Sequence, residues 1–166
     1  EGGAVGVWGV AEVRVPGGWV RWRGALSMMR GAVAGGGWKG VGRIVDGTDG
    51  NTGSGLALVG ASMGFKTVMV IPETQSQEKK DMLRLAGAEL VQVPAAPYRN
   101  PNNFVRYSER LAKELARSTN EGVIWANQFD NVANRRAHIE TTGPETWAQT
   151  GLLYPYPSPR NRTTHR

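Results

Sequence analysis

The sequence of 166 residues contains no cysteine, which excludes a disulfide framework and thiolate chemistry. It also has no apolar run of the about 18 residues that a membrane-spanning helix needs. The first residues lack the charged-then-apolar pattern of a secretory signal, and there is no initiator Met, which indicates a start inside a longer reading frame. We therefore expect a cytoplasmic location, no membrane association and no metal site.

Most of the chain lacks an excess of either positive or negative side chains, although the net charge is +6. Residues 61–151 hold 11 basic and 10 acidic side chains, whereas residues 152–166 add three Arg and no acidic residue. No basic stripe interleaved with aromatic residues runs along a predicted element, as nucleic-acid binding would favour. Nucleic acid is therefore not a predicted partner.

The composition divides the chain into three segments. Residues 1–42 are rich in Gly and hold four of the six Trp, and 18 of the 23 Gly lie in the first sixty residues. Because Gly loses much backbone entropy on folding, regular structure is hard to stabilise in this N-terminal segment, which we interpret as degenerate. Residues 43–151 form the predicted domain, and the Pro- and Arg-rich residues 152–166 are typical of a disordered tail.

Hydrophobic periodicity predicts alternating strands and helices in the middle segment. Strands separated by crossover helices form a parallel sheet, so the predicted fold class is α/β. Ligands of such sheets bind beyond the carboxyl ends of the strands, where the polar loops 47–52 and 127–131 emerge. The predicted strands are 42–47, 66–72, 88–94 and 122–127, and the predicted helices are 52–64, 76–88, 102–118 and 131–149.

The loop within "IVDGTDGNTGSGLALVG" leads from a strand directly into a helix. Free backbone N–H groups and the helix dipole favour an anion at such a position, by about 0.3–1 kcal/mol. The glycine spacing is GxxGxxG, and no Lys follows it, so the spacing matches neither the dinucleotide nor the P-loop pattern. An anion site and a tight turn without a ligand both remain open on spacing alone.

The run "GTDGNTGSGLALVGASMGFKTVMVIPETQSQEKKDMLRLAGAELVQVP", followed by "NQFDNVANRRAHIETTGPE", resembles cysteine synthase (O-acetylserine sulfhydrylase). That family has the pyridoxal-phosphate-dependent fold of the tryptophan-synthase β subunit. It makes L-cysteine from O-acetylserine and sulfide by β-replacement. The resemblance implies that the substrate carboxylate is bound by Gln128 and by the loop residues Thr48, Asp49, Asn51 and Thr52, with Asn51 also beside the cofactor.

The segment "VPGGWVRWRGAL" is similar to the family segment NPGGSVKDRAAL, whose lysine forms the Schiff base with the cofactor. Arg21 occupies the lysine position, and a guanidinium stays protonated and cannot replace that amine. Asp49 stands where the family usually has Ser or Ala, and its carboxylate either repels the substrate or turns away to cap the loop or the helix. The second domain of the family is also absent from the sequence.

These departures predict an inactive fragment or degraded copy of a cysteine synthase, in which pyridoxal 5'-phosphate binding is doubtful. Two alternatives stay open: a non-catalytic binding or regulatory module, and a fragment of a related enzyme such as cystathionine β-synthase. The resemblance implies a homodimer and serine acetyltransferase as partners.

Several residues outside the loop have an expected structural role. We interpret His138 as structural and Trp125 and Trp147 as packing residues. Lys79 and Lys80 fall in a charged run that is typical of a solvated helix face.

Overall fold

The computed structural model describes residues 20–35 and 42–150. Helices and strands alternate along these ranges, and a short π-helical turn joins the last two helices. The helices are α1 (Arg21–Ala34), α2 (Asn51–Ser62), α3 (Gln77–Leu85), α4 (Phe104–Ser118), α5 (Val132–Ala137) and α6 (Gly143–Thr150), with the π-helical turn at His138–Thr142. The strands are β1 (Gly42–Gly47), β2 (Lys66–Pro72), β3 (Ala88–Val93) and β4 (Gly122–Trp125).

The four strands form one sheet in the order β3-β2-β1-β4, and every pair is parallel. In the register of the sheet, Val45 of β1 lies between Val68 of β2 and Trp125 of β4. Parallel neighbours require a crossover connection, and the helices supply it. The predicted α/β class with crossover helices is therefore confirmed.

Both faces of the sheet are covered, because adjacent residues of a strand point to opposite faces. Ile44 belongs to the core that contains α1 and α2, whereas Val45 packs on the other face against Ala112 of α4. Both side chains are fully buried. Burial of an aliphatic side chain of this size stabilises the fold by about 1.5–3 kcal/mol, which explains why β1 and β2 consist mostly of apolar residues.

Helix α1 lies inside the segment whose glycine content argued against regular structure, so that expectation is wrong for residues 21–34. It is held by packing on α2 at Gly55, where an added Cβ would lie 3.2 Å from the Cα of Trp22. Its residues Ala25, Met28 and Met29 are buried in the core. The remaining predictions for residues 1–19 and 36–41, and for the tail from residue 151, lie outside the described residues.

The ends of α3 and α4 follow from their local sequence. The Ser76 side chain caps α3 by accepting from the Lys79 N–H, and Gly87 beyond its end has φ 87°, a conformation that glycine adopts without strain. The Asn103 side chain caps α4 by accepting from the Val105 N–H at 3.0 Å. The Ser76 cap and the glycine stop are both signals that the local sequence carries.

The two tryptophans outside the N-terminal segment differ in their environment. Trp125 packs against the α4 core, and its indole N–H donates to Ser108 Oγ at 3.0 Å, which confirms the packing role. Trp147 is 55% exposed, so the packing prediction is wrong for it. Three further large apolar side chains between residues 129 and 139 are also more than half exposed, namely Phe129, Val132 and Ile139.

Residues 20–35 and 42–150 contain no helix with the length and apolar character that crossing a bilayer requires.

Candidate functional site

The loop between β1 and α2 is organised by Thr48, which is almost fully buried. Its hydroxyl oxygen accepts from the N–H groups of Gly50 at 3.0 Å and Gly53 at 3.1 Å. Gly50 has φ 141°, a backbone conformation that side chains other than hydrogen disfavour. The Thr48 hydroxyl therefore shapes the loop from within, and it leaves the ligand-facing bonds to its neighbours.

The first turn of α2 presents donors that have no partner inside the helix. The Gly53 N–H donates to the Thr48 hydroxyl, and the Ser54 N–H donates to the Gly50 carbonyl. No described group accepts from the N–H of Asn51 or Thr52. The side chain of Thr52 is only 5% exposed, and its hydroxyl has no hydrogen bond to a described residue. These three unpaired donors, together with the helix dipole, favour an anion at this end of α2.

Gln128 reaches this loop from the segment that follows β4, and it is held by the buried carboxylate of Asp46. The Gln128 amide nitrogen donates to Asp46 Oδ2 at 3.0 Å and to the Gly47 carbonyl at 2.7 Å. Both amide hydrogens are therefore used. The amide oxygen, which is an acceptor, is the atom of Gln128 that stays available to a ligand.

Asp46 is the only described carboxyl group with a strongly raised pKa. Its residue is 1% exposed, and burial raises its pKa to about 7. The hydrogen bonds from Gln128 oppose that rise because they favour the charged form. The protonation state of Asp46 consequently changes near neutral pH, directly behind the side chain of Gln128.

A cavity of about 300 Å³ opens where these elements meet. The first residue of α1, Arg21, lines it opposite the loop, and Lys79 of α3 lines it as well. All the predicted site residues border this cavity: Arg21, Thr48, Asp49, Asn51, Thr52 and Gln128.

Asp49 borders the cavity and does not cap α2. The helix has Gly50 at its N-cap and no side-chain cap, so the prediction that Asp49 caps this helix is wrong, while the alternative that its carboxylate turns away stays a prediction. Instead, Asp49 Oδ1 accepts from Gln75 Nε2 at 3.2 Å. The other end of the Gln75 amide accepts from Lys79 Nζ at 2.9 Å, so Gln75 bridges a carboxylate and an ammonium group.

The solvated-face interpretation of the charged run in α3 is wrong at Lys80, whereas Lys79 is exposed as predicted. Lys80 is 8% exposed and its Nζ donates to the Glu73 carbonyl at 2.7 Å, while Lys79 borders the cavity. A charged run has the same pattern on a free face and on a face that contacts the protein, so neither contact could be predicted. His138 is half-buried, and its Nδ1 lies 3.0 Å from the Thr142 hydroxyl within the π-helical turn, as a structural role requires.

The described residues do not fit a covalently held pyridoxal phosphate at the predicted position. That bond needs an amine, and the cavity presents the guanidinium of Arg21 there. The amine of Lys79 reaches the same cavity from α3, on a different element, and is engaged by Gln75.

A larger cavity of about 530 Å³ lies between α1 and the helices that follow β4. Arg23 crosses it to pair with Glu145 at 2.7 Å. None of the predicted site residues lines this cavity.

The comparisons with a family model and with known proteins indicate the same family. A family model described as "Pyridoxal-phosphate dependent enzyme" matches residues 2–160. Cysteine synthase 1 of Neurospora crassa is 52% identical over 143 residues, which are 86% of this chain and 37% of that protein. Cysteine synthase of Staphylococcus aureus is 41% identical over 138 residues, which are 83% of this chain and 42% of that protein. The chain thus spans well under half the length of these curated relatives.

Solved structures show the same fold. An O-ureido-L-serine synthase is 37% identical, with a TM-score of 0.67 over 81% of this chain and 40% of that one. A hydrogen sulfide-producing enzyme from Fusobacterium nucleatum is 31% identical, with a TM-score of 0.70 over 84% of this chain and 43% of that one.

Proposed function

This chain belongs to the family of pyridoxal-phosphate-dependent enzymes, and from that premise we propose that it carries the amino-acid-binding site of a cysteine synthase without its chemistry. Relatives named cysteine synthase match most of the chain, and the family uses pyridoxal phosphate. The chain spans 37% of the first of these relatives. The activity of the whole protein, β-replacement of O-acetylserine by sulfide, is therefore part of the proposal.

One observation carries this proposal: the unpaired donors at the start of α2 face a cavity in which Arg21 replaces the lysine. The N–H groups of Asn51 and Thr52 and the Thr52 hydroxyl offer three hydrogen bonds to a carboxylate. Arg21 adds a permanent positive charge, which strengthens binding of the carboxylate but cannot form a Schiff base. The site therefore retains groups that bind a carboxylate, but it lacks the nucleophilic amine.

The test measures binding and turnover separately in the 166-residue protein. We expect O-acetyl-L-serine to bind saturably in calorimetry, and we expect no cysteine from O-acetyl-L-serine and sulfide with pyridoxal phosphate added. Thr52→Val keeps the shape of the side chain and removes the hydroxyl, so it lowers the affinity about tenfold, as loss of a hydrogen bond to a charged group does. Thr74→Val is the matched control, because Thr74 is exposed and lies outside the cavity.

Two results would refute the proposal. Sulfide-dependent cysteine production by the purified chain would show that Arg21 does not prevent catalysis. Absence of O-acetyl-L-serine binding, in protein with a native circular dichroism spectrum, would show that the loop no longer recognises an amino acid.

A regulatory role is the second candidate, and the exposed apolar side chains after β4 favour it. Phe129, Val132, Ile139 and Trp147 are each 55% to 62% exposed, so these side chains are available to a partner. Pairing with a second copy, with a full-length relative or with serine acetyltransferase would cover them. Co-purification with an intact synthase after gentle lysis supports this role, and recovery of the chain alone as a monomer counts against it.

Three further expectations remain proposals. The chain divides near residues 42 and 151, and the protein is cytoplasmic. The residues that contact the substrate are Thr48, Asp49, Asn51, Thr52 and Gln128. The absence of cysteine supports the second, because a reducing compartment needs no disulfides.

A further inference from the structure

Charges of both signs line the 300 Å³ cavity without neutralising each other. Arg21 and Lys79 are cationic and Asp49 is anionic, and no ion pair joins Asp49 to either cation. Asp49 Oδ1 accepts from Gln75, and Oδ2 has no hydrogen bond to any residue in the described ranges. The carboxylate thus retains an acceptor atom beside the ligand space.

The neutral polar groups of the cavity likewise include both hydrogen-bond donors and hydrogen-bond acceptors. Thr52 and the first N–H groups of α2 are donors without described partners, and they lie with Arg21 in the cavity wall. The Gln128 amide presents its oxygen, because Asp46 and the Gly47 carbonyl use both of its hydrogens. Gln128 is 8% exposed, so this acceptor is a buried group that borders the cavity.

Donors for an anion and acceptors for a cation in one small cavity match the zwitterion of an α-amino acid. We propose that the cavity binds a free α-amino acid non-covalently, with the carboxylate on Arg21, Thr52 and the α2 N–H groups and the ammonium on Asp49 and the Gln128 amide oxygen. This inference rests on the proposed function, since it concerns the same site, and it assigns Asp49 as the residue that selects for the ammonium group.

The two departures at Arg21 and Asp49 are explained together by this assignment. Arg21 cannot hold the cofactor through a Schiff base, and an amino acid that binds without the cofactor's aldehyde keeps a charged ammonium group. A charged ammonium in a cavity needs an opposite charge or acceptors, and Asp49 supplies both. The carboxylate of Asp49 then attracts the ligand, whereas it would repel a ligand whose carboxylate pointed to it.

The test compares two ligands that differ at one group. L-Serine carries the ammonium, and L-glycerate carries a hydroxyl in its place. Isothermal titration of the 166-residue protein is expected to give an affinity for L-serine at least about tenfold higher than for L-glycerate. Asp49→Ser is expected to abolish that preference while L-glycerate still binds, which also demonstrates that the variant folds. Asp130→Ser is the control, since Asp130 is exposed and outside the cavity.

The outcomes separate this inference from the function on which it rests. Equal affinity for the two ligands in the unmodified protein, or an unchanged preference in Asp49→Ser, overturns the role of Asp49 and leaves an amino-acid carboxylate site. Failure of both ligands and of O-acetyl-L-serine to bind overturns the amino-acid site itself.

Discussion

Asp46→Asn is predicted to remove a pH dependence of folding stability that extends from pH of about 4 to about 7. The folded pKa of Asp46 is about 7 and its ordinary value is 3.8, so the folded state takes up the proton first as pH falls. A carboxyl group with a raised folded pKa stabilises the fold fully below the unfolded pKa, and this stabilisation is lost as pH rises through about 7. Stability from this group therefore decreases between pH of about 4 and about 7.

The size of the effect follows from the pKa difference. At about 1.4 kcal/mol per pKa unit, a shift of about 3 units corresponds to about 4 kcal/mol across the whole range. Between pH of about 5 and about 8 the expected decrease is about 2–3 kcal/mol. This is a large fraction of the total stability of a domain of this size.

Urea denaturation followed by tryptophan fluorescence at several pH values measures this decrease. Asn at position 46 does not titrate, so the difference between wild type and Asp46→Asn should depend on pH and favour the variant more at higher pH. Asp130→Asn is the matched control because its carboxylate is exposed. A difference between wild type and Asp46→Asn that stays constant from pH of about 5 to about 8 would refute the reasoning.

Three core and loop substitutions have direct structural consequences. Gly53→Ala places a Cβ 2.6 Å from Thr48 Cγ2, so it should distort the loop and abolish O-acetyl-L-serine binding in calorimetry. Ser108→Ala leaves the indole N–H of Trp125 without its partner, and it should lower the free energy of unfolding by about 1–3 kcal/mol in urea denaturation. Leu83→Ala removes a fully buried side chain and should cost about 2–5 kcal/mol in the same assay.

Each substitution has a control that makes the same chemical change at a permissive position. Gly31→Ala adds a methyl group 3.9 Å from its nearest neighbour, Ala133 Cβ, inside α1. Ser118→Ala and Leu85→Ala alter exposed side chains. If a control loses as much binding or stability as its counterpart, the proposed contact is not the cause.

The strands could be predicted from sequence because their signal is local. The apolar run of β2 ends at Pro72, and its bounds of Lys66–Pro72 agree with the prediction. The helices α3 and α4 carry equally local signals, in the Ser76 cap of α3 and in the apolar periodicity that predicts a helix over residues 102–118. Such elements need no information from distant parts of the chain.

Contacts between distant segments could not be predicted in this way. The bond between Asp46 and Gln128 joins residues 82 positions apart, and neither residue has a neighbour in sequence that indicates it. The burial of Lys80 was missed for another reason: its Nζ donates to the Glu73 carbonyl only seven residues away, but a charged run does not show which of its side chains turns inward. Helix α1 was missed because its stability comes from packing on α2, whereas its composition alone disfavours a helix.

The position of β4 at one end of the sheet order has a consequence for synthesis on the ribosome. Its partner β1 precedes it by 80 residues, since Gly42 aligns with Gly122. Contacts of such long sequence separation form slowly and only after the later strand has been made. Until residue 128 emerges, the nascent chain holds Asp46 at the end of β1 without the amide of Gln128 that donates to it, so the cavity is completed only after β4 has been made.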